Sequence, residues 1–259
     1  AMLSCHFGFG DVVFRDLTDY IPRALENYQE LGIDFECIYS GFLGSEEQVD
    51  HCLEFFRSYP KALIVVDVQP TFCESGELGV AGGNAVAERI ADYVNAHRSE
   101  YAYIATTQDW HIEPGTHWSE HPDFVDTWPV HGKAGTANAE LHPAIAALNI
   151  EHHFKKGQYS PSYSGFEGFE DNTDRIPTRE EVSTAMAAGR TLANGLKTAG
   201  ITRVDVVGLA ESHCVKETAL DAKKLGFEVH VIENLTEPVS EELGIAARRQ
   251  MSEAGIILD

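Results

Sequence analysis

Short apolar runs alternate with stretches of helical spacing along most of the chain. KALIVVDV (61–68) is a nearly continuous β-branched run, too short for a helix and typical of a strand buried on both faces of a parallel sheet. Helical spacing follows over 84–97. YAYIATT (101–107) predicts a second strand, which leads into a loop rich in His, Pro and Gly from Gln108 to about Pro143. HHFKKG (152–157) reads as a strand, 178–199 as a helix, and RVDVVGLA (203–210) as the next strand. The pattern then predicts a helix over 215–225, a strand at FEVHVIE (227–233), and a helix from about Ser240 onward. Strands alternating with helices imply right-handed βαβ crossovers. The expected class is α/β: a parallel sheet with helices on both faces, in a Rossmann-like three-layer arrangement. Ligands of such sheets sit at the carboxyl ends of the strands. Asp67, Asp109, Lys156 and Cys214 all fall near those ends, so the fold alone gathers them on one rim.

The first 60 residues fit this alternation less easily. Residues 16–31 have the spacing of an amphipathic helix with Asp16 as its cap, FECIYSGF (35–42) reads as a strand, and 45–59 as a capped helix. The expected organisation is an α/β appendage over 1–60 and a main domain over 61–259.

Composition narrows the function. Of 259 residues 43% are hydrophobic and 23% charged, as in ordinary globular proteins. Lys and Arg number 19 against 41 Asp and Glu, a formal charge of −22. That surface repels phosphate backbones and anionic lipid, so neither nucleic acid nor a membrane is an expected partner. No apolar run approaches the roughly 18 residues of a membrane span, and the start lacks the features of a signal peptide. The five cysteines (Cys5, Cys37, Cys52, Cys73 and Cys214) are odd in number, scattered, and form no CxxC pair. This argues against a disulfide framework or a zinc ribbon and suits a reducing cytoplasm. A small-molecule partner is expected, and a homo-oligomer is compatible with the chain.

Two groups of residues carry candidate chemistry. The first is Asp109, His111, His117 and His131 in QDWHIEPGTHWSEHPDFVDTWPVHG. Three imidazoles and a carboxylate suit zinc, iron(II) or manganese(II). The competing reading is a polar loop whose histidines are incidental, as His121 and His142 in the same stretch illustrate. The second group centres on Cys214, in GLAESHCVKETALDA, between a strand end and a helix. There the helix dipole and free amides would lower a thiol below its reference pKa of about 8.5 and could form an oxyanion hole. The alternative is a buried structural thiol, the reading given to Cys37 in its predicted strand. Cys73 lies close to the same rim. Asp67 directly follows a buried strand, where a carboxylate must be paired or reactive. Lys155 and Lys156 are adjacent on a strand and face opposite sides, so one at most reaches a shared site and the other is expected in solvent.

From Lys61 onward the chain resembles the nicotinamidase/pyrazinamidase branch of the isochorismatase-like cysteine hydrolases. The resemblance rests on VVDVQPTFCESGELGVAGG, QDWH with GTHW, WPVHG, KGQYSPSYSGFEG and VVGLAESHCVKETALDA, in that order. It implies a Cys-Asp-Lys triad at Cys214, Asp67 and Lys156, the lysine being the one that directly precedes a glycine, Gly157. It implies metal ligands at Asp109, His111, His117 and His131, and a ring-stacking pair at Phe72 and Trp128. A cis peptide would fall at Leu209–Ala210, with the amides of Ala210 and Cys214 as the oxyanion hole. The implied activity is metal-dependent hydrolysis of nicotinamide and pyrazinamide to the acid and ammonia through a Cys thioester, in the salvage of NAD. The implied cofactor is one divalent ion, zinc first, with iron or manganese as alternatives. Residues 171–191 make a longer polar connection than expected and stand as a candidate to alter the mouth of the site. Other readings are hydrolysis of a related amide or N-carbamoyl compound, and a metal-binding scaffold inactivated by the N-terminal segment.

That segment, FGFGDVVFRDLTDYIPRALENYQELGIDFECIYSGFLGSEEQVDHCLEFF, resembles an internal piece of pyridoxal kinase, a ribokinase-fold enzyme. The kinase's nucleotide-binding loop and catalytic Asp have no counterpart in the chain, so kinase activity is not expected.

Overall fold

Pro22 decides where the first helix begins. Proline lacks the amide that an interior helical position needs and is tolerated only in the first turn. In the computed structural model helix α1 accordingly runs Tyr20–Glu30 with Asp19 at its N-cap. The expected start at Asp16 is corrected, since it would bury Pro22 inside the helix. The structure describes residues 2–4, 13–15, 17–33, 40 and 43–259, in two compact units, Ala1–Pro60 and Lys61–Asp259. Asp16, Cys5, and the strand predicted over 35–42 with its Cys37 lie outside the described residues, Ser40 excepted. In the first unit, strands β1 (Met2–Ser4) and β2 (Val13–Arg15) pair antiparallel. Helix α2 spans Glu46–Arg57, and the Ser45 hydroxyl accepts from the Gln48 amide at 3.3 Å, as its sequence signal predicts. The Gln48 side chain in turn donates to Thr18 Oγ1 at 2.8 Å, which ties α2 to the start of α1.

The second unit is built on seven strands: β3 (Lys61–Val66), β4 (Tyr103–Asp109), β5 (His152–Lys156), β6 (Phe169–Glu170), β7 (Arg203–Leu209), β8 (Glu228–Glu237) and β9 (Ile257–Leu258). Their order is β6-β5-β4-β3-β7-β8-β9, parallel throughout except for the antiparallel edge strand β6. β3 lies at the centre, and Ala62–Val66 are inaccessible to solvent. Alternate residues of a strand point to opposite faces, and the two cores follow that rule. Ile64, Val66 and Val206 pack with Leu196 of α6 (Leu192–Thr198), Ala219 of α7 (Lys216–Lys224) and Met251 of α8 (Glu241–Glu253). Leu63, Val65 and Val207 pack on the other face with Val86, Ile90 and Val94 of α3 (Gly83–His97) and Ile145 of α4 (Pro143–Ala146). Each fully buried Val, Leu or Ile contributes roughly 1.5–3 kcal/mol, so the continuous apolar run of β3 is what the two helical layers close upon.

The helix expected over 178–199 is two helices. α5 (Arg179–Ala187) ends before Gly189, which adopts φ +75°, and the Thr191 hydroxyl caps α6 by accepting from Asn194. Strands β6 and β9 have two residues each, too few for a periodic signal to register. Among the described residues no helix is long and apolar enough to cross a membrane.

Candidate active site

Four polar side chains converge where β3, β4, β5 and β7 end. Asp67 follows β3 in a left-handed conformation (φ 47°), and its amide donates to the Thr107 carbonyl at 3.1 Å. The Thr107 hydroxyl donates to Asp67 Oδ1 at 2.6 Å. Asp109 and Lys156 are the last residues of β4 and β5 and are paired in register. The Lys156 Nζ lies 3.0 Å from Asp67 Oδ2, donates to Asp109 Oδ1, and stands 3.7 Å from Cys214 Sγ. Asp67 and Lys156 are wholly buried. The ligating atoms of Asp67, Asp109 and Cys214 lie within 4.8 Å of one another. An ammonium already occupies the cation position among them.

Burial dominates the electrostatics of this cluster. It pushes Asp67 above the usual carboxylate range, with Lys156 opposing and Asp109 adding to the shift. Against the same burial penalty, Lys156 and then His111 hold Asp109 well below that range. Lys156 stays charged because Asp109 and Asp67 outweigh its own desolvation. For Cys214 the sequence expectation is overturned. Burial lifts the thiol well above its usual value; Lys156 opposes this, and the two carboxylates reinforce it. The helix-terminus argument fails because Cys214 sits inside a π-helical turn, Glu211–Val215, ahead of α7, with only 6% of its surface exposed.

Beside this cluster His111, His117 and His131 bring ring nitrogens within 4.8 Å of one another, all three buried. Asp109 joins the two groups, with Oδ2 at 3.4 Å from His111 Nε2 and 3.7 Å from His131 Nε2. His111 Nδ1 donates to the Gly157 carbonyl at 2.6 Å and His131 Nδ1 to the Pro129 carbonyl at 2.8 Å. A carbonyl can only accept, so each ring donates from Nδ1, which turns Nε2 toward the shared point as the nitrogen able to ligate. His111 Nε2 and His117 Nδ1 are buried with no hydrogen-bond partner. Burial, then His111 and His131, lower His117 to a pKa of about 4. Buried imidazoles with unpaired nitrogens beside a carboxylate fit a divalent ion. Two glycines permit the close approach: a Cβ on Gly157 would lie 2.4 Å from His111 Cε1, and one on Gly132 2.8 Å from Asp109 Cβ.

Above both groups opens a cavity of about 290 Å³. Cys214, Asp109, His117 and His131 form its polar end, and Phe72, Leu78, Val80 and Trp128 its apolar walls. The Trp128 indole donates to Tyr163 Oη at 3.0 Å and meets the His213 ring edge-on at 5.4 Å. The Leu209–Ala210 peptide is cis. The Ala210 carbonyl accepts from the His213 and Val215 amides at 3.0 and 3.2 Å, and the turn so formed lines the cavity with both Ala210 and Cys214.

Residues 61–258 match the isochorismatase domain. The chain belongs to the isochorismatase family. It is 41% identical over 198 residues to the nicotinamidase/pyrazinamidase of Mycobacterium tuberculosis, a match that covers 76% of this chain and 97% of that protein. Its fold is similar to that of the Pyrococcus horikoshii pyrazinamidase in complex with zinc (29% identity, TM-score 0.60, 77% of this chain and 98% of that one). PnC1 from L. infantum in complex with nicotinate is similar too, at 34% identity and TM-score 0.61 over 78% and 93% of the two chains. Residues 1–60 lie outside the matched domain.

Within this isochorismatase domain several expectations change. Lys155 is not in solvent: its Nζ sits 3.6 Å above the Trp110 ring, donates to the Thr173 carbonyl and lies 3.5 Å from Asp174. The segment 171–191 thus folds over the outer face of β5, and none of its residues lines the cavity. His121 is exposed, and His142 caps α4 by accepting from the Ala144 amide at 3.2 Å. Burial, then Glu74, pushes the thiol of Cys73 up to about 11. Sequence reasoning missed Thr107, Tyr163, His213 and Gln69. The Gln69 side chain donates to the Asp109 and Ala139 carbonyls at 3.0 and 2.6 Å and accepts from the Asp109 amide at 2.9 Å. The available signal was position, since all four lie within or beside motifs already singled out.

Proposed function

We propose that residues 61–259 form a metal-dependent amidase that hydrolyses nicotinamide, and pyrazinamide with it, to the acid and ammonia. The observation that carries this reading is the convergence of Cys214, Asp67 and Lys156 beside three imidazoles, with Cys214 opening on the cavity walled by Phe72 and Trp128. The nicotinamidases among the relatives and the nicotinate-bound neighbour support the substrate class. A divalent ion held by Asp109, His111, His117 and His131 would supply a Lewis-acid anchor for the ring nitrogen. Zinc is the first choice, supported by the zinc-bound relative.

Phe72 and Trp128 stack against the ring and exclude water. Asp67, raised toward the thiol in basicity, takes the proton of Cys214 as the sulfur attacks the amide carbon. The amides of Ala210 and Cys214 hold the oxyanion. Asp67 then returns the proton to the departing ammonia, and a water activated by the same carboxylate opens the thioester to the acid. Lys156 balances negative charge as it moves between carboxylate and sulfur, in a site too dry for solvent to do so. The reaction feeds pyridine nucleotide salvage, in a cytoplasm that keeps the cysteines reduced.

The test is ammonia release from nicotinamide by the full chain, with Cys214→Ala alongside and metal content measured in both. Wild-type turnover with a loss of at least ~1,000-fold in Cys214→Ala is expected, at unchanged metal content. A Cys214→Ala protein that kept most of its activity would reject the thioester route. A metal-loaded wild type inert toward nicotinamide but active on an N-carbamoyl compound, or inert toward both, would reject the substrate assignment.

A further inference from the structure

Among the buried carboxylates that the mechanism above does not use, Glu211 lies next to the nucleophile. Glu211 is 1% exposed and opens the turn that carries Cys214, directly after Ala210. Arg248 on α8 donates through Nη1 to Glu211 Oε2 at 2.8 Å and Oε1 at 3.1 Å. The same guanidinium donates through Nη2 to Glu241 at 3.1 Å, so both of its ends are held by carboxylates. A second tether joins the same two parts of the chain. The Ser212 hydroxyl accepts from the Val239 amide at 3.2 Å, immediately before α8. Gly244 lets the helix come this close, since a Cβ there would lie 2.9 Å from Pro238 and 3.2 Å from Arg248 Nη2.

A buried carboxylate is costly when unpaired, and Glu211 is paired by a guanidinium whose side chain is 27% exposed. What sets this pair apart is its place in the fold, directly on the turn that carries Cys214. The turn they grip carries both the nucleophile and the two amides of the proposed oxyanion hole. The walls that hold the ring, Phe72 and Trp128, belong to other segments. We infer that Arg248 is a positioning residue: through Glu211 it fixes the turn from Ala210 to Cys214 at the distance that the transition state requires. The inference rests on the amidase reading only for its kinetic consequence. The positioning of Cys214 itself can be read without any substrate.

The decisive variant is Glu211→Gln with Arg248→Met, which removes both charges and leaves no buried ion unpaired, since Glu241 is exposed. It should melt near the wild-type temperature and bind nicotinamide with KM within about threefold, while kcat falls at least ~10-fold, as displacement of a reacting group does. Arg248→Lys, which keeps a donor to Glu211, should recover most of kcat. A double variant with wild-type kcat, or one in which kcat is unchanged and only the melting temperature moves, would overturn the proposal. Alkylation of Cys214 by iodoacetamide, followed at that residue by peptide mass spectrometry, decides the matter independently. The double variant should react at a rate at least threefold, roughly, from wild type, as a displaced thiol would. Equal rates would overturn the proposal, whether or not nicotinamide is a substrate.

Discussion

At the amino ends of its strands the sheet buries the carboxylate of Asp205; at the carboxyl ends it buries those of Asp67 and Asp109. The two ends handle this cost differently. Asp205 is closed on itself, accepting from Tyr101 Oη at 2.8 Å and Arg203 Nε at 2.7 Å, with Lys61 Nζ at 3.6 Å. Its cationic partners keep contact with water, their side chains 22% and 23% exposed. At the other end the lysine is wholly buried, and two imidazole nitrogens have no hydrogen-bond partner. A network that satisfies every member stabilises, whereas one that leaves buried polar atoms without a partner carries a cost that a bound ligand would relieve. The same chemistry of ion pairs is thus closed off at one edge and left open to a ligand at the other.

Lys156→Met should separate the two ends most sharply. It leaves the Asp67 and Asp109 carboxylates buried without their shared cation, so nicotinamide turnover should fall below detection. Stability measured by denaturant melts should drop by about 3–5 kcal/mol. Retained turnover would remove Lys156 from the machinery.

His111→Ala, or chelation of the wild type, should strip the metal and raise KM for nicotinamide at least ~10-fold. Zinc should restore the chelated wild type and fail to restore His111→Ala. Metal content unchanged in the variant would detach the imidazoles from metal binding.

The metal-free protein should also lose stability in acid through His117. Its folded pKa is depressed from 6.5 to about 4. The unfolded chain therefore takes up a proton near pH 6.5 that the folded protein refuses until about pH 4. The stabilisation is complete above the higher value and is lost as pH falls through this window. Melting temperature should fall from about pH 7 to about pH 5 more steeply in wild type than in His117→Gln. Parallel slopes would show that other groups govern the acid limb.

Asp205→Asn is the smallest intervention. It should cost about 1–3 kcal/mol of stability and leave kcat and KM for nicotinamide as they were. An effect on kcat would mean that the two ends communicate through β7.

Much of this arrangement is legible in the chain, and the gaps have physical causes. The apolar run of β3 needs two helical layers, and any parallel sheet presents Asp67, Asp109 and Lys156 at one rim. Gly189, a single residue in the left-handed region, divides a helix whose apolar spacing runs straight through it. Lys155 was expected in solvent because strand alternation tells which side a residue faces and not what covers that side; Trp110 and the 171–174 segment do.

The order and chemistry of the motifs belong to the sequence by itself, because they depend on neighbours within a few positions: which carboxylate follows a buried strand, which lysine precedes a glycine, which thiol sits between a strand and a helix. Tertiary structure alone decided the direction in which that thiol's pKa moves. A helix terminus near Cys214 argues for a lowered pKa, but burial raises it, with Lys156 opposing and the carboxylates of Asp67 and Asp109 adding to the rise. It alone also made Asp109 the link between the lysine and the imidazoles, and brought Arg248 back across more than thirty residues to Glu211. Distances between segments remote in sequence set these interactions, and only the closed fold fixes such distances.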